Sequence, residues 1–197
     1  MRDLVAGLLC TLTTFGVLTG CSSDPSPAVT PQVVISPVPN AIPPDWRYEK
    51  DAILLHIEAD PQLNLFHKTP HALLLCTYHL RDPNAFNQLQ DQKGGLQKLL
   101  DCDSFDPSVL YARRIMLQPG QKLDESLHRS DGARFIAFAA GYYLLRKDRV
   151  TASLPVPLSV ERRGAAIVQI PQKMRVKLRL GPQELQEVQA TPVIPQD

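Results

Sequence analysis

The sequence predicts a mainly β domain: a two-sheet sandwich carrying one short helical insert. Three observations support this. Several short segments alternate apolar and polar residues with period two, the pattern of strands with one buried face. Turn-forming groups such as Gln118-Pro119-Gly120-Gln121 and Gly181-Pro182 separate them. One local stretch, after Asp82-Pro83, has helical spacing instead. Short strands with turns between them and a single insert argue for a sandwich.

Taken in order, Asp51–Glu58 places Ile53, Leu55 and Ile57 on one face. Leu73–Leu80 is a second strand, apolar on both faces at its start. Asp82 is suited to cap a helix that has Pro83 at its first position, with Phe86 and Leu89 sharing a face. Gly94-Gly95 breaks that helix, and Leu96, Leu99 and Leu100 indicate a second short turn. This insert is expected to lie across one end or face of the sheets. Ala112–Leu117 returns to β character. Ala133–Leu145 is apolar on both parities and predicts a central strand covered on both sides. From Leu154 to Val160, prolines at 155 and 157 fall on the outward parity, which restricts the segment to an edge strand or an irregular extended path. Ala165–Ile170 is a further short strand. Met174, Val176, Leu178 and Leu180 alternate with Arg175, Lys177 and Arg179, the cleanest half-buried pattern in the chain. The polar residues after Gly181-Pro182 are expected to form a loose tail.

The first residues read as an export signal. Arg2 supplies positive charge, and Leu4 to Leu18 is apolar or hydroxylated. That run is too short to span a bilayer, which takes about 20 apolar residues. It ends in Leu18-Thr19-Gly20-Cys21, the spacing at which a lipoprotein signal peptidase cuts. Cys21 is then the lipidation site, and several acyl chains on one residue make anchoring stable. The alternative is an ordinary secretory signal with a chance cysteine. Ser22, rather than Asp, follows the cysteine, which by similarity to enterobacterial sorting rules favours the outer membrane. Seven prolines between Ser22 and Pro44 block helix and ladder formation and point to an extended spacer, although a short strand at Gln32–Ile35 is compatible with its sequence. The expected organisation is a signal peptide at 1–20, a lipidated cysteine and spacer at 21–46, a sandwich domain at 47–181 and a tail at 182–197.

Net charge is +1 and no run of Lys or Arg is present, so nothing points to nucleic acid. Of four cysteines, Cys10 leaves with the signal and Cys21 takes lipid. Cys76 and Cys102 remain. An oxidising compartment favours their pairing as a disulfide, and two buried thiols are the alternative. No catalytic constellation is found: there is no G-x-S-x-G elbow, no phosphate-cradling glycine loop and no H-E-x-x-H. His67 and His71 lie four apart, but Pro70 between them forbids the helix that would aim both at one metal. Cys76 and His79 fall on opposite strand parities. Asp101, Asp103 and Asp106 lack the glycine and terminal glutamate of a calcium loop. No metal or cofactor is expected beyond the lipid.

The segment between the first two strands, Gln62-Leu63-Asn64-Leu65-Phe66-His67-Lys68-Thr69-Pro70-His71, is long for a hairpin connection of about 2–5 residues. It carries Leu63, Leu65 and Phe66, apolar material that either folds back onto the sandwich or offers itself to a partner.

The order of motifs resembles one known family. A lipobox, a first strand, a loop with Leu63-Asn64, and Pro70 entering a strand that ends Tyr78-His79-Leu80 are similar to the TssJ (VasD/SciN) lipoproteins of type VI secretion. Phe86 with the following leucines resembles that family's helical insert. Ala112–Gln121 resembles its strand ending in a Leu-x-Pro-Gly turn, and Ala133–Tyr142 its central strand. The similarity spans roughly Ile53 to Leu145. The sequence departs from the family pattern at Cys102, at Phe66-His67 and in Tyr143-Leu144-Leu145-Arg146-Lys147-Asp148 after the central strand. The resemblance implies a transthyretin-like sandwich held in the outer membrane and facing the periplasm. It implies a non-enzymatic structural role: binding the periplasmic C-terminal region of the inner-membrane protein TssM, in a complex with TssL. It also implies that the Gln62–His71 loop is the partner contact. Two other functions are compatible with the residues: a binding or pilotin-like lipoprotein of another envelope machine, and a hydrolase with a site built across loops.

Overall fold

A computed structural model describes residues 41–193. The signal segment, Cys21, the Gln32–Ile35 stretch and most of the spacer lie outside the described residues. In chain order the elements are β1 (Ala41–Ile42), β2 (Glu49–Ala59), β3 (Leu73–Leu80), α1 (Asn84–Asp91), α2 (Gly95–Leu99), β4 (Val109–Leu117) and β5 (Lys122–Arg129). There follow β6 (Phe135–Ala140), α3 (Lys147–Val150), β7 (Thr151–Pro155), β8 (Leu158–Arg163), β9 (Ala166–Pro171), β10 (Met174–Leu180) and β11 (Leu185–Pro192).

Two four-stranded sheets, ordered β11-β10-β2-β5 and β4-β3-β6-β7, face each other across one core. The alternation read from the sequence sets this arrangement. Ile53, Leu55 and Ile57 of β2 and Met174, Val176, Leu178 and Leu180 of β10 point inward from the first sheet. Leu73 and Leu75, Ile115 and Leu117, and Ile136 and Phe138 meet them from the second. The fold is therefore the expected mainly β sandwich. It has one addition, a small third sheet ordered β1-β9-β8, in which β1 runs parallel to β9.

The second sheet is buried on its other face as well, because the helical insert covers it. Cys76, Tyr78 and Leu80, the opposite parity of β3, pack with Phe86 and Leu89 of α1, Leu99 of α2 and the half-buried Phe105. The Tyr78 hydroxyl donates to the Leu99 carbonyl, and burial pushes its phenol well above the ordinary tyrosine range. Asp82 sits one position further out than expected. Its carboxylate accepts from the Asn84 N–H while Pro83 occupies the cap. Cys76 and Cys102 are joined by a disulfide that ties the insert to β3 across 26 residues of sequence. Closing a loop of this size stabilises by about 3–4 kcal/mol on the chain-entropy account. Cys76 faces the insert and His79 the sandwich interior, as their parities require.

Four readings change. Lys122–Arg129 is a full strand, β5, although no strand was expected there. Its inward parity is Leu123, Glu125, Leu127 and Arg129, and the two charges hide the apolar period. Ala133–Leu145 is not one strand: pairing ends at Ala140, and the Gly141 N–H turns to the Leu74 carbonyl. The alternation from Leu154 to Val160 is shared between β7 and β8, which belong to different sheets. The segment expected to be loose contains β11, which pairs with β10 from Leu185 to Pro192. Its inward residues are few (Leu185, Val188 and Ala190), so the strand is held as much by its ladder as by burial.

Candidate functional site

The Gln62–His71 loop leaves the end of β2 and is pinned by backbone hydrogen bonds. Asp60 donates its N–H to the Leu180 carbonyl and accepts from Gly120 and Leu63, while its carboxylate accepts from the Gln62 N–H at 2.7 Å. The Leu65 N–H donates to the Pro182 carbonyl at 2.7 Å, and the His71 N–H to the Leu63 carbonyl at 3.0 Å. Asn64, buried and at φ +48°, is the keystone. Its amide nitrogen donates to the Ala72 carbonyl at 3.0 Å, and its amide oxygen accepts from the Tyr143 N–H at 3.1 Å. Beyond it the chain makes a two-residue hairpin. Phe66 and Thr69 exchange both backbone bonds, at 3.0 and 2.9 Å, around His67 (φ +48°) and Lys68 (φ +63°). Two consecutive left-handed residues define a turn that normally selects Asn-Gly.

The apolar residues of the loop divide. Leu63 is 0% exposed and belongs to the sandwich core. Leu65 is half-buried, and Phe66 at the tip is 43% exposed. Gln62, His67, Lys68, Thr69 and Pro70 are exposed, and His71 is half-buried. The foldback reading thus holds for Leu63, and the presented surface centres on Phe66.

Sequence reasoning missed the neighbour. Tyr143 stacks on Phe66 with ring centroids 4.2 Å apart and an interplanar angle of 18°. His71 meets the same tyrosine edge-on at 5.2 Å. Tyr143 and Leu144 are 55% and 62% exposed, so the stack shields little of either ring. Beside it, Leu65, Phe66, Tyr143, Leu144 and Pro182 border a shallow depression of about 220 Å³. Tyr142 points the other way; its hydroxyl donates to the Glu184 carbonyl, and burial pushes its phenol up. Gly141 was the available signal, since it marks where the apolar run stops being a strand. Nothing in the loop resembles catalytic machinery. Among the described residues no cluster of His, Cys, Asp and Glu is arranged to hold a metal ion.

The geometry defines a class of protein: a sandwich module that presents a rigidly pinned, aromatic-tipped loop at one end. Residues 51–183 match the T6SS-SciN family, described as type VI secretion lipoproteins VasD, EvfM and TssJ, and the chain belongs to it. Solved structures share the fold. The T6SS lipoprotein TssJ1 from Pseudomonas aeruginosa is 20% identical with a TM-score of 0.53, over 75% of this chain and 98% of that one. A chain of the structure described as T6SS protein TssM C-terminal domain (869–1107) from EAEC is 17% identical with a TM-score of 0.51, over 72% and 98%. Comparison with curated proteins finds no match. Among the described residues no helix is long and apolar enough to cross a membrane.

Proposed function

We propose that this type VI secretion lipoprotein is a non-enzymatic anchor. Lipid on Cys21 holds it in the outer membrane, and the Gln62–His71 loop captures the periplasmic C-terminal region of TssM within a complex that includes TssL. The observation that carries this reading is the exposed Phe66–Tyr143 stack on a loop held by backbone hydrogen bonds at Leu63, Leu65, Phe66, Thr69 and His71. A preordered aromatic tip binds without the entropy cost of first ordering the loop.

The position of the loop supports it. The chain leading back to Cys21 joins the sandwich just before β2, and the loop leaves from the other end of the same strand. The regular part of the strand, Ile53–Ala59, spans about 20 Å at about 3.3 Å per residue, and Asp51, at φ +51°, kinks the chain before it. β2 is paired on both sides, with β10 and β5. Tension between tether and partner would therefore load two hydrogen-bond ladders in shear rather than peel one strand away.

Calorimetric titration of the TssM region tests the assignment. Replacing Leu65 and Phe66 together by Ala is expected to weaken binding by about 10–100-fold, while the variant stays folded with a loss of about 1 kcal/mol, since Leu65 is only half-buried and Phe66 stands at the surface. Unchanged affinity in that double variant would refute the loop as the contact.

A further inference from the structure

The small third sheet belongs to neither hydrophobic core. Among the described residues, none of β1, β8 or β9 is part of the sandwich interior or of the cluster under the insert. The sheet is nevertheless rich in apolar side chains, and they lie on both of its sides. Residues opposite each other in its ladders share a side, so Leu158, Val160 and Ile167 stand on one and Ile42, Val168 and Ile170 on the other. Val160 is 66% exposed, Ile42 49% and Leu158 40%, and every residue of β9 is only half-buried. β8 and β9 form a hairpin, which alone is marginally stable in water, and β1 adds only two residues to it. Exposed apolar area of this kind marks a surface that something else covers.

We infer that this β8–β9 arm docks on an anionic phospholipid surface, the bilayer that holds the chain, a docking that presupposes the lipid anchor on Cys21 proposed above. The arm sits where the lipid is brought. β1 pairs with β9, and nineteen residues separate β1 from Cys21. Fully extended, a segment of that length reaches about 70 Å. The bilayer is then present at an effective concentration on the order of millimolar, so a weak contact suffices. The arm also leaves the sandwich at the tether end. Its neck closes through the Gln172 N–H on the Pro157 carbonyl at 2.8 Å, and β10 begins just after it with Met174 paired to Ile53. Six residues of β8 at about 3.4 Å each give the arm a length of about 20 Å.

Its chemistry fits lipid better than a protein groove. A protein partner covers one face of a sheet, whereas an arm that is apolar on both sides matches a medium that closes around it. Arg162 and Arg163 stand exposed at the tip, and exposed Lys173 follows the neck. The one acid of the arm, Glu161, lies 3.0 Å from Arg163. Basic residues are drawn to anionic headgroups, and apolar neighbours then enter the headgroup–acyl boundary by about 5–10 Å. That depth immerses the tip half of the arm, Val160 to Val168, with the two arginines among the phosphates. Docked in this way, the arm turns the tether end of β2 to the bilayer and the Phe66 loop, at the other end, away from it.

The test uses the full acylated chain in phosphatidylcholine vesicles, with or without added phosphatidylglycerol. Val160→Cys on the arm, or Lys68→Cys as a reference on the loop, takes a fluorescent thiol label. In the anionic vesicles the arm label should be quenched by nitroxide-bearing lipid and shielded from acrylamide, and the loop label should behave in the opposite way. Arg162→Gln should lower the docked-to-free ratio about fivefold, the loss expected for one basic residue at an anionic surface. Flotation with the vesicles is scored separately. A chain that does not float lacks the anchor, and the docking falls with it. A chain that floats while acrylamide reaches both labels alike overturns the docking alone. It is overturned equally if shielding of the arm grows with protein density at fixed lipid, which identifies a second copy as the cover, or appears only once the TssM region is added. Indifference to both Arg162→Gln and the removal of phosphatidylglycerol also overturns it.

Discussion

The two ends of β2 solve opposite problems. At the loop end the Asn64 side chain is turned inward and matched, joining two backbone segments, and the aromatic rings of Phe66 and Tyr143 are left outside. At the tether end charge is drawn inside beside a half-buried aromatic ring, Trp46. The Arg129 side chain is almost wholly buried, pairs with Glu49 at 2.9 Å, donates to the Arg47 carbonyl at 3.2 Å and lies over the half-buried Trp46 ring. His79 is buried nearby with one nitrogen unmatched. The first end is built to present a surface, and what it stores is backbone strain at Asn64, His67 and Lys68. The second stores desolvated charge and polarity inside the fold, so its stability should respond to chemistry that leaves the first untouched.

The sharpest way to break the comparison is Arg129→Ala. It strands Glu49 beside a vacated, buried position and should cost about 3 kcal/mol in urea unfolding, toward the low end for a broken buried pair because Glu49 keeps some solvent. A loss under about 1 kcal/mol would show that the tether end tolerates its charge cheaply. Acid comes next. The folded pKa of His79 lies below its ordinary value of 6.5, near 4, so the unfolded chain binds the additional proton in between. Its contribution should be complete above pH 6.5 and decline as pH falls toward 4, by about 3 kcal/mol in all. His79→Gln should flatten that part of the stability–pH curve.

Effects at the loop end should be smaller. Asn64→Ala removes two hydrogen bonds and places Ala at positive φ, for a loss of about 2 kcal/mol by thermal unfolding. The smallest effect has the opposite sign. Replacing His67-Lys68 by Asn-Gly supplies the residues that the turn geometry favours and should stabilise by about 1 kcal/mol. If it destabilises instead, the two side chains make contacts that outweigh their backbone strain.

How far each region could be read from the chain follows the same division. β2 and β10 were evident because their core-facing positions from Ile53 and from Met174 onward are aliphatic, and β3 because it is apolar on both faces at its start. β5 was not, because Glu125 and Arg129 occupy inward positions and only their partners, Arg113 and Glu49, make that tolerable. Those partners are 12 and 80 residues away, beyond any local pattern. The loop was singled out by its length and by Leu63, Leu65 and Phe66, yet only one of the three stands at the exposed tip. Tyr143 and Leu144 looked like strand interior because they continue an apolar run. Their exposure depends on Gly141 turning to Leu74 and on Tyr143 bonding to Asn64.

By itself, then, the sequence determined the alternation that makes two sheets, a helical insert set across an end or a face of them, and the presence of an unusual loop after β2. These rest on nearest neighbours in the chain, where period and turn chemistry act. Only the tertiary structure decided which apolar side chains of the loop are spent on the core and which are shown. It alone joined Phe66 to Tyr143, admitted β5 and β11 to the first sheet, and left one end of the interior polar. The reason is physical: burial and pairing are properties of three-dimensional neighbours, and a charge or an aromatic ring takes its role from whichever distant residue the fold sets beside it.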